Sequence, residues 1–292
     1  MMPFAFNTMY AADSPTPAFG ARPPQASISQ SNGSNFAISG VFFNQPTSAE
    51  YLALQNYVNV SITDCDFDTF PVAIGSGRRC IYLLSCSGTL TIQRCRARLV
   101  PHNFLQMDKS HMAGTVSQNR IRGTTSNSED LVSVFQSGGV DATHRLVITD
   151  NHLDGNDPTT GTPNYTSGSG SGIQIGDVAQ DAGTGFVDCT LNTMLNPGQD
   201  GIGIAGGNDV KIDGNQIFSI QTPTSNVGLS IWMNGGALLC QNMESSNNRI
   251  NWKNSAGANN SFFNGGNCGT IAGSGNAFDD ASLAAASLVV VL

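Results

Sequence analysis

Residues 200–217 read DGIGIAGGNDVKIDGNQI, and the same cadence returns as SGIQIGD (171–177), VSITDCDF (60–67), LTIQRCRA (90–97) and LVITDNHL (146–153). Each phrase is a short β-branched run that ends on a small or polar residue. Aligned on that residue, Val41, Cys65, Cys95, Asn119, Asn151, Asn192, Asn215, Asn248 and Asn276 fall in register, with successive spacings of 24, 30, 24, 32, 41, 23, 33 and 28. A constant phrase with variable separation predicts compact coils that carry their extra length at one corner. Period-two alternation over runs of roughly four to six residues, punctuated by Gly, Asn and Ser, predicts three short strands per unit and no helix.

An antiparallel sandwich does not require the same residue type at the same point of every unit. A stack of coils does, because equivalent residues lie about 4.8 Å apart and identical side chains hydrogen-bond along the stack. Six asparagines in register therefore read as a structural ladder at a tight turn, not as a site. The expected fold is all-β, a single-stranded parallel β-helix of about nine coils over residues 35–292, with residues 1–34 as an N-terminal arm or cap.

The coils resemble those of the pectate-lyase-like (pectin-lyase-like) superfamily of right-handed parallel β-helix proteins, which carry an asparagine ladder between their second and third sheets. The resemblance implies a right-handed sense for the helix, and a polysaccharide lying along the first sheet between loops that follow the third strand. It also implies an extracellular, periplasmic or virion-associated setting. The superfamily's catalytic signatures are missing: no Trp-x-Asp-His, no Gly-His-Gly with paired aspartates in a suitable coil, and no Asp-Pro-His. No catalytic residue is carried over from it.

Bulk composition narrows the partners. The chain has 292 residues, a formal charge of -8 and only 12% charged residues, about half the usual share. Nucleic acid and anionic membrane both reward a basic face, so neither is expected. The N-terminal MMPFAFNTMYAADSP lacks a basic region and makes a poor signal peptide, and the C-terminal SLAAASLVVVL is too short to span a bilayer. Seven scattered cysteines without a CxxC pair are expected to be buried free thiols.

Two constellations suggest chemistry. The longest insertions, 123–129, 155–171 and 221–226, precede the strands SVF, IQI and LSI. Alternation turns Ile74, Val134, Ile175, Ile204, Ile231 and Phe263 inward. It leaves Ser133, Phe135, Gln174, Gly203, Ala205, Ser230, Trp232 and Asn234 facing out, where Phe135, Gln174 and Trp232 offer a sugar platform. Asp130 and Asp200 stand one step before these strands and two coils apart, about 9.6 Å at the strand spacing. That is the outer edge of the ~6.5–9.5 Å window of an inverting carboxylate pair. Both also fit as turn caps.

The second constellation is a stripe after the ladder residue. Asp66 and Asp68, Arg96 and Arg98, Arg120 and Arg122, then His152 and Asp154 are expected to stack as guanidinium groups flanked by carboxylates. Such forks bind carboxylates bidentately. In a lyase, Arg96, Arg98, Arg120 and Arg122 neutralise uronate acid groups, and His152, Lys109 or Tyr165 moves the proton. The same stripe also fits an inter-coil salt-bridge ladder. Asp64, Asp66 and Asp68 share one side of an ideal strand and have calcium-like spacing, so Ca²⁺ is the one cofactor considered; the histidines are too dispersed for a metal site. The leading expectation is a polysaccharide lyase, or an inverting hydrolase or epimerase, acting as a monomer on an acidic polysaccharide. The rival is a non-catalytic, trimeric tail-spike-like or surface rod.

Overall fold

The computed structural model describes residues 17–45, 47–68, 79–100, 102–124, 129–155, 170–176, 184–235 and 239–284. Their strands form three sheets of nine, eight and ten members, and every pairing between consecutive coils is parallel. Each coil contributes one strand to sheet 1, then one to sheet 2, then one to sheet 3, so the chain is a parallel β-helix. Asp200–Ile204, Gly207–Asp213 and Gln216–Ser219 make one complete turn.

The ladder is present as read. The side-chain oxygen of Asn151 accepts from the backbone N–H and the side-chain amide of Asn119, at 3.1 and 2.9 Å. The same double bond links Asn151 to Asn192, Asn192 to Asn215, Asn215 to Asn248 and Asn248 to Asn276. Each amide also donates to a sheet-2 carbonyl of the preceding coil, as Asn215 Nδ2 does to Cys189 O at 2.9 Å. The residue before each ladder position has positive φ: Asp64, Arg94, Gln118, Asp150, Leu191 and Asn247, with Gly40, Gly214 and Gly275 in the remaining coils. A left-handed residue turns the chain sharply from sheet 2 to sheet 3 and aims the next side chain inward. A shorter serine ladder, unforeseen in the sequence, serves the turn between sheets 1 and 2. Ser110 Oγ accepts from Cys86 N, and Ser137 Oγ accepts from Ser110 N, each at 2.9 Å.

One apolar column fills the helix from Phe43 to Trp252. At its N-terminal end Phe43 and Phe67 stack at 4.8 Å, with Tyr51 and Phe104 edge-on around them. Three expectations are corrected. The stack begins at Pro24–Ala26 in sheet 3 and Ile28–Ser31 in sheet 1, ahead of residue 35, because these strands pair with the next coil although they carry no ladder phrase. Extra length lies at two corners, since residues 136–145 join sheet 1 to sheet 2 in one coil where the coil before it needs only Lys109 and Ser110. Phe263 faces outward: it pairs with Ser230 and is 49% exposed, while Phe262 takes the inward position opposite Leu229. Ile74 and residues 285–292 lie outside the described residues.

Asn215→Ala removes the acceptor of two Asn192 donors and the donor to Cys189 O inside the stack. The expected loss is roughly 3–5 kcal/mol, since each stranded buried group costs about 1–3 kcal/mol. It is read from the urea midpoint, against no more than ~0.5 kcal/mol for Thr190→Ala on the outer face of sheet 2.

Candidate functional site

The two constellations lie on different sheets. Phe135, Gln174 and Trp232, with the turns holding Asp130 and Asp200, belong to sheet 1; the arginine stripe belongs to sheet 3. The stripe's register is as expected: Asp66, Arg96, Arg120 and His152 form one column, and Asp68, Arg98, Arg122 and Asp154 form the other.

Its first half is closed. Arg96 is 5% exposed and grips Asp66 with two bonds of 2.7 Å. Asp66 is fully buried and also accepts from Arg22 Nη1 at 2.8 Å and Gly20 N at 3.0 Å. Residues 17–22 thus strap across sheet 3. Arg96 donates to Pro17 O and Ala18 O, and the Phe19 ring lies 5.6 Å from the Arg96 guanidinium and 5.2 Å from that of Arg98. Arg98 pairs with Asp68 at 2.5 Å. Arg96, expected to hold substrate, is instead committed to a buried carboxylate beneath this strap, because Asp66 is cut off from water there and its charge needs the paired guanidinium groups.

This pairing also removes the calcium reading. Asp66 and Asp68 are neutralised by arginines, and Asp64 sits at positive φ in the turn, paired with Arg94 at 2.7 Å, not beside them on a strand. No group of three or more metal-binding side chains occurs among the described residues. Further along the stripe, Arg120, Arg122 and His152 are half-buried. Burial first, and the Arg120 charge second, push the His152 pKa below its ordinary value, against a smaller opposing pull from Asp150. Lys109 is exposed at the turn between sheets 1 and 2, so it does not join this stripe. Tyr165 lies outside the described residues.

On sheet 1 the outward column runs Tyr82, Gln106, Ser133, Gln174, Gly203 and Ser230. Gly203 leaves room for its neighbour: a Cβ there would meet Gln174 Oε1 at 2.1 Å. Gln174 accepts from Ser171 Oγ at 3.0 Å, and Trp232 stands at the end of its strand, 36% exposed. Asp200 pairs with Ser171, whose backbone N–H donates to Asp130 Oδ1 at 2.8 Å. Asp130, Ser171 and Asp200 therefore occupy three successive coils, with the small, buried serine between the two carboxylates.

Their environments differ. Burial pushes the Asp200 carboxyl up to about 6, although Ser230 Oγ at 3.2 Å and Asn226 Nδ2 at 3.4 Å donate to it. Asp130 accepts a backbone N–H, and its own carbonyl holds Asn103 Nδ2 at 2.6 Å. Beside them the sequence reading missed a histidine–carboxylate pair: His102 Nε2 lies 2.9 Å from Glu129 Oε1, and its other ring nitrogen contacts the Asn103 side chain. It missed as well the chain of Glu50, Arg79, Tyr82 and Asp108 on the same face. Neither group shares the ladder phrase, so periodicity carried no signal for them.

Cys240 and Cys268 form a disulfide across 28 residues, which corrects the reading of all seven cysteines as free; the other five are buried thiols. No helix among the described residues is long and apolar enough to cross a membrane. Comparison with protein-family models, with curated proteins and with solved structures finds no match to the chain.

Asp66→Asn leaves Arg22 and Arg96 without their shared carboxylate. Breaking a buried pair this way costs about 3–5 kcal/mol. Limited proteolysis is expected to cut within residues 17–22 faster than in the parent protein.

Proposed function

We propose that the chain is a glycan-cleaving β-helix protein of the pectate-lyase-like kind, and that it works by hydrolysis on the outer face of sheet 1. The observation that carries this reading is a carboxyl held up to about 6 at Asp200, two strand spacings from Asp130. Two strand spacings, about 9.6 Å, stand at the outer edge of the ~6.5–9.5 Å carboxyl separation that leaves room for a water in inverting chemistry. Asp200 in its acid form protonates the departing glycosidic oxygen. Asp130 takes a proton from a water that attacks the anomeric carbon from the opposite side. The C–O bond to the leaving sugar breaks as the new C–OH bond forms, and the two carboxyls end with their protonation exchanged. Trp232 and Phe135 supply ring faces for sugar stacking, and Gln174 and Ser230 supply hydrogen bonds.

A second reading is supported by His152. Its lowered pKa keeps the imidazole in its basic form beside Arg120, which suits proton abstraction from a uronate held by Arg98, Arg120 and Arg122 on sheet 3. The acidic polysaccharide belongs to this reading; hydrolysis on sheet 1 does not require one.

A panel of neutral and acidic glycans, assayed for new reducing ends and for the absorbance of unsaturated uronates, separates the readings. Hydrolysis predicts reducing ends without double bonds, and at least a 100-fold loss of kcat in Asp200→Asn. Because the acid must be protonated, the rate is expected to fall as pH rises through about 6. Double bonds together with full activity of Asp200→Asn transfer the function to sheet 3. A trimer inert on every glycan removes both readings and leaves a structural rod.

The same carboxyl gives a stability test. A pKa raised on folding contributes stability below the unfolded value near 3.8, and this is lost as pH climbs through about 6. Asp200→Asn is therefore expected to stabilise the fold at pH 7–8 by up to about 3 kcal/mol relative to its effect at pH 4. Urea denaturation at the two pH values measures the difference.

A further inference from the structure

The outer face of sheet 1 changes height near its N-terminal end. Ser29 and Ser31 on the first strand, then Ala53 on the second, are short, whereas Tyr82 and Leu84 on the third rise as a step. Ser29, Ala53 and Tyr82 share one column; Ser31, Gln55 and Leu84 share the next. The step encloses a cleft of about 300 Å³ whose lining is completed by Gln30, Glu50 and Leu54. That is the lower end of the range for small-molecule sites.

The lining is polar and its charges are balanced. Glu50 is paired with Arg79 at 3.0 Å, and the Arg79 guanidinium lies 4.8 Å over the Tyr82 ring. The Tyr82 hydroxyl donates to Asp108 Oδ2 at 3.2 Å, so the ring that forms the step is held both at its face and at its hydroxyl. Gln30, in register with the buried Leu54, turns away from the cleft and accepts from the Tyr57 hydroxyl at 2.6 Å, which fixes the strand carrying Ser29 and Ser31. A ligand here meets serine hydroxyls, the Gln55 amide and an aromatic–aliphatic wall, with Glu50 already paired to Arg79. A second anion or cation gains little, and a purely apolar molecule strands the amide and hydroxyls.

We propose that this cleft binds a neutral sugar residue and anchors a glycan far from the point of cleavage. The proposal rests on the reading of sheet 1 as a glycan face. The Ala53 row and the Asp200 row are five strand spacings apart, about 24 Å. A chain that fills both sites crosses the whole intervening face, so the cleft makes long glycans better ligands than short ones.

The test uses Asp200→Asn protein, so that ligands survive, and calorimetric titration with neutral octasaccharides of several linkages alongside oligogalacturonate and oligomannuronate. Ala53→Trp fills the cleft from an outward position. At least a 10-fold weaker affinity for a neutral octasaccharide is expected, with an unchanged circular dichroism spectrum. Gln55→Ala takes away one amide only and is expected to weaken binding several-fold; it decides the matter if the tryptophan variant does not fold. Equal affinity of these variants and their parent overturns the cleft while the reading of sheet 1 stands. Binding confined to the acidic oligosaccharides overturns the neutral class. No binding by any of them, and no reducing ends released by the wild type, overturns both.

Discussion

The fold depends on one obligation, which is that the tight turn from sheet 2 to sheet 3 buries a backbone N–H in every coil. A left-handed residue makes the corner, and the amide just after it points along the stack where no strand partner stands. Asparagine answers this need from the next coil, with one oxygen taking the backbone donor and the side-chain donor together. Its own NH₂ closes a sheet-2 carbonyl. Since each residue serves its neighbour, the coils are held at one spacing and one register. Every column on the outer faces inherits that regularity.

Regular columns align polar side chains from successive coils along the outer faces. Asp130, Ser171 and Asp200 are brought into line by strand pairing alone, and their separation is set by the coil spacing. What differs is the setting of each carboxyl. Burial raises the Asp200 carboxyl although Ser230, Asn226 and the Val227 backbone all donate to it, and Asp130 accepts the Ser171 N–H. On sheet 3 the same regularity produces ion pairs between coils, and the strap at residues 17–22 seals the first of them. One architecture thus yields a closed structural face and an open polar one.

The sequence disclosed the phrases that recur over many coils, though not the short serine ladder at Ser110 and Ser137. The ladder, the parallel register and the arginine columns were legible because equivalent residues recur at equivalent points. The arm over Arg96 was not, as residues 17–22 belong to no repeat. The insertion at the second corner was hidden for another reason. The spacing from Asn119 to Asn151 adds the residues at both corners of a coil, so one number cannot apportion them. Phe263 was misread in the last coil, where a three-residue strand has a neighbour on one side only and alternation is anchored weakly. The Cys240–Cys268 bond joins the start of a sheet-2 strand to a bend of the next coil without a CxxC signature, and His102 pairs with Glu129 across coils at a position with no recurring letter.

The cysteines have a consequence for how the chain reaches this state. Cys65 and Cys95 stand one coil apart at ladder positions, both fully buried in the column, while the native bond closes near the far end. A nascent chain exposed to oxidant offers wrong partners before right ones. Zipping of the early coils shelters the five core thiols, whereas Cys240 stays partly accessible. The productive order is therefore assembly first and oxidation afterwards, so that the covalent staple acts as a final latch on the terminal coil.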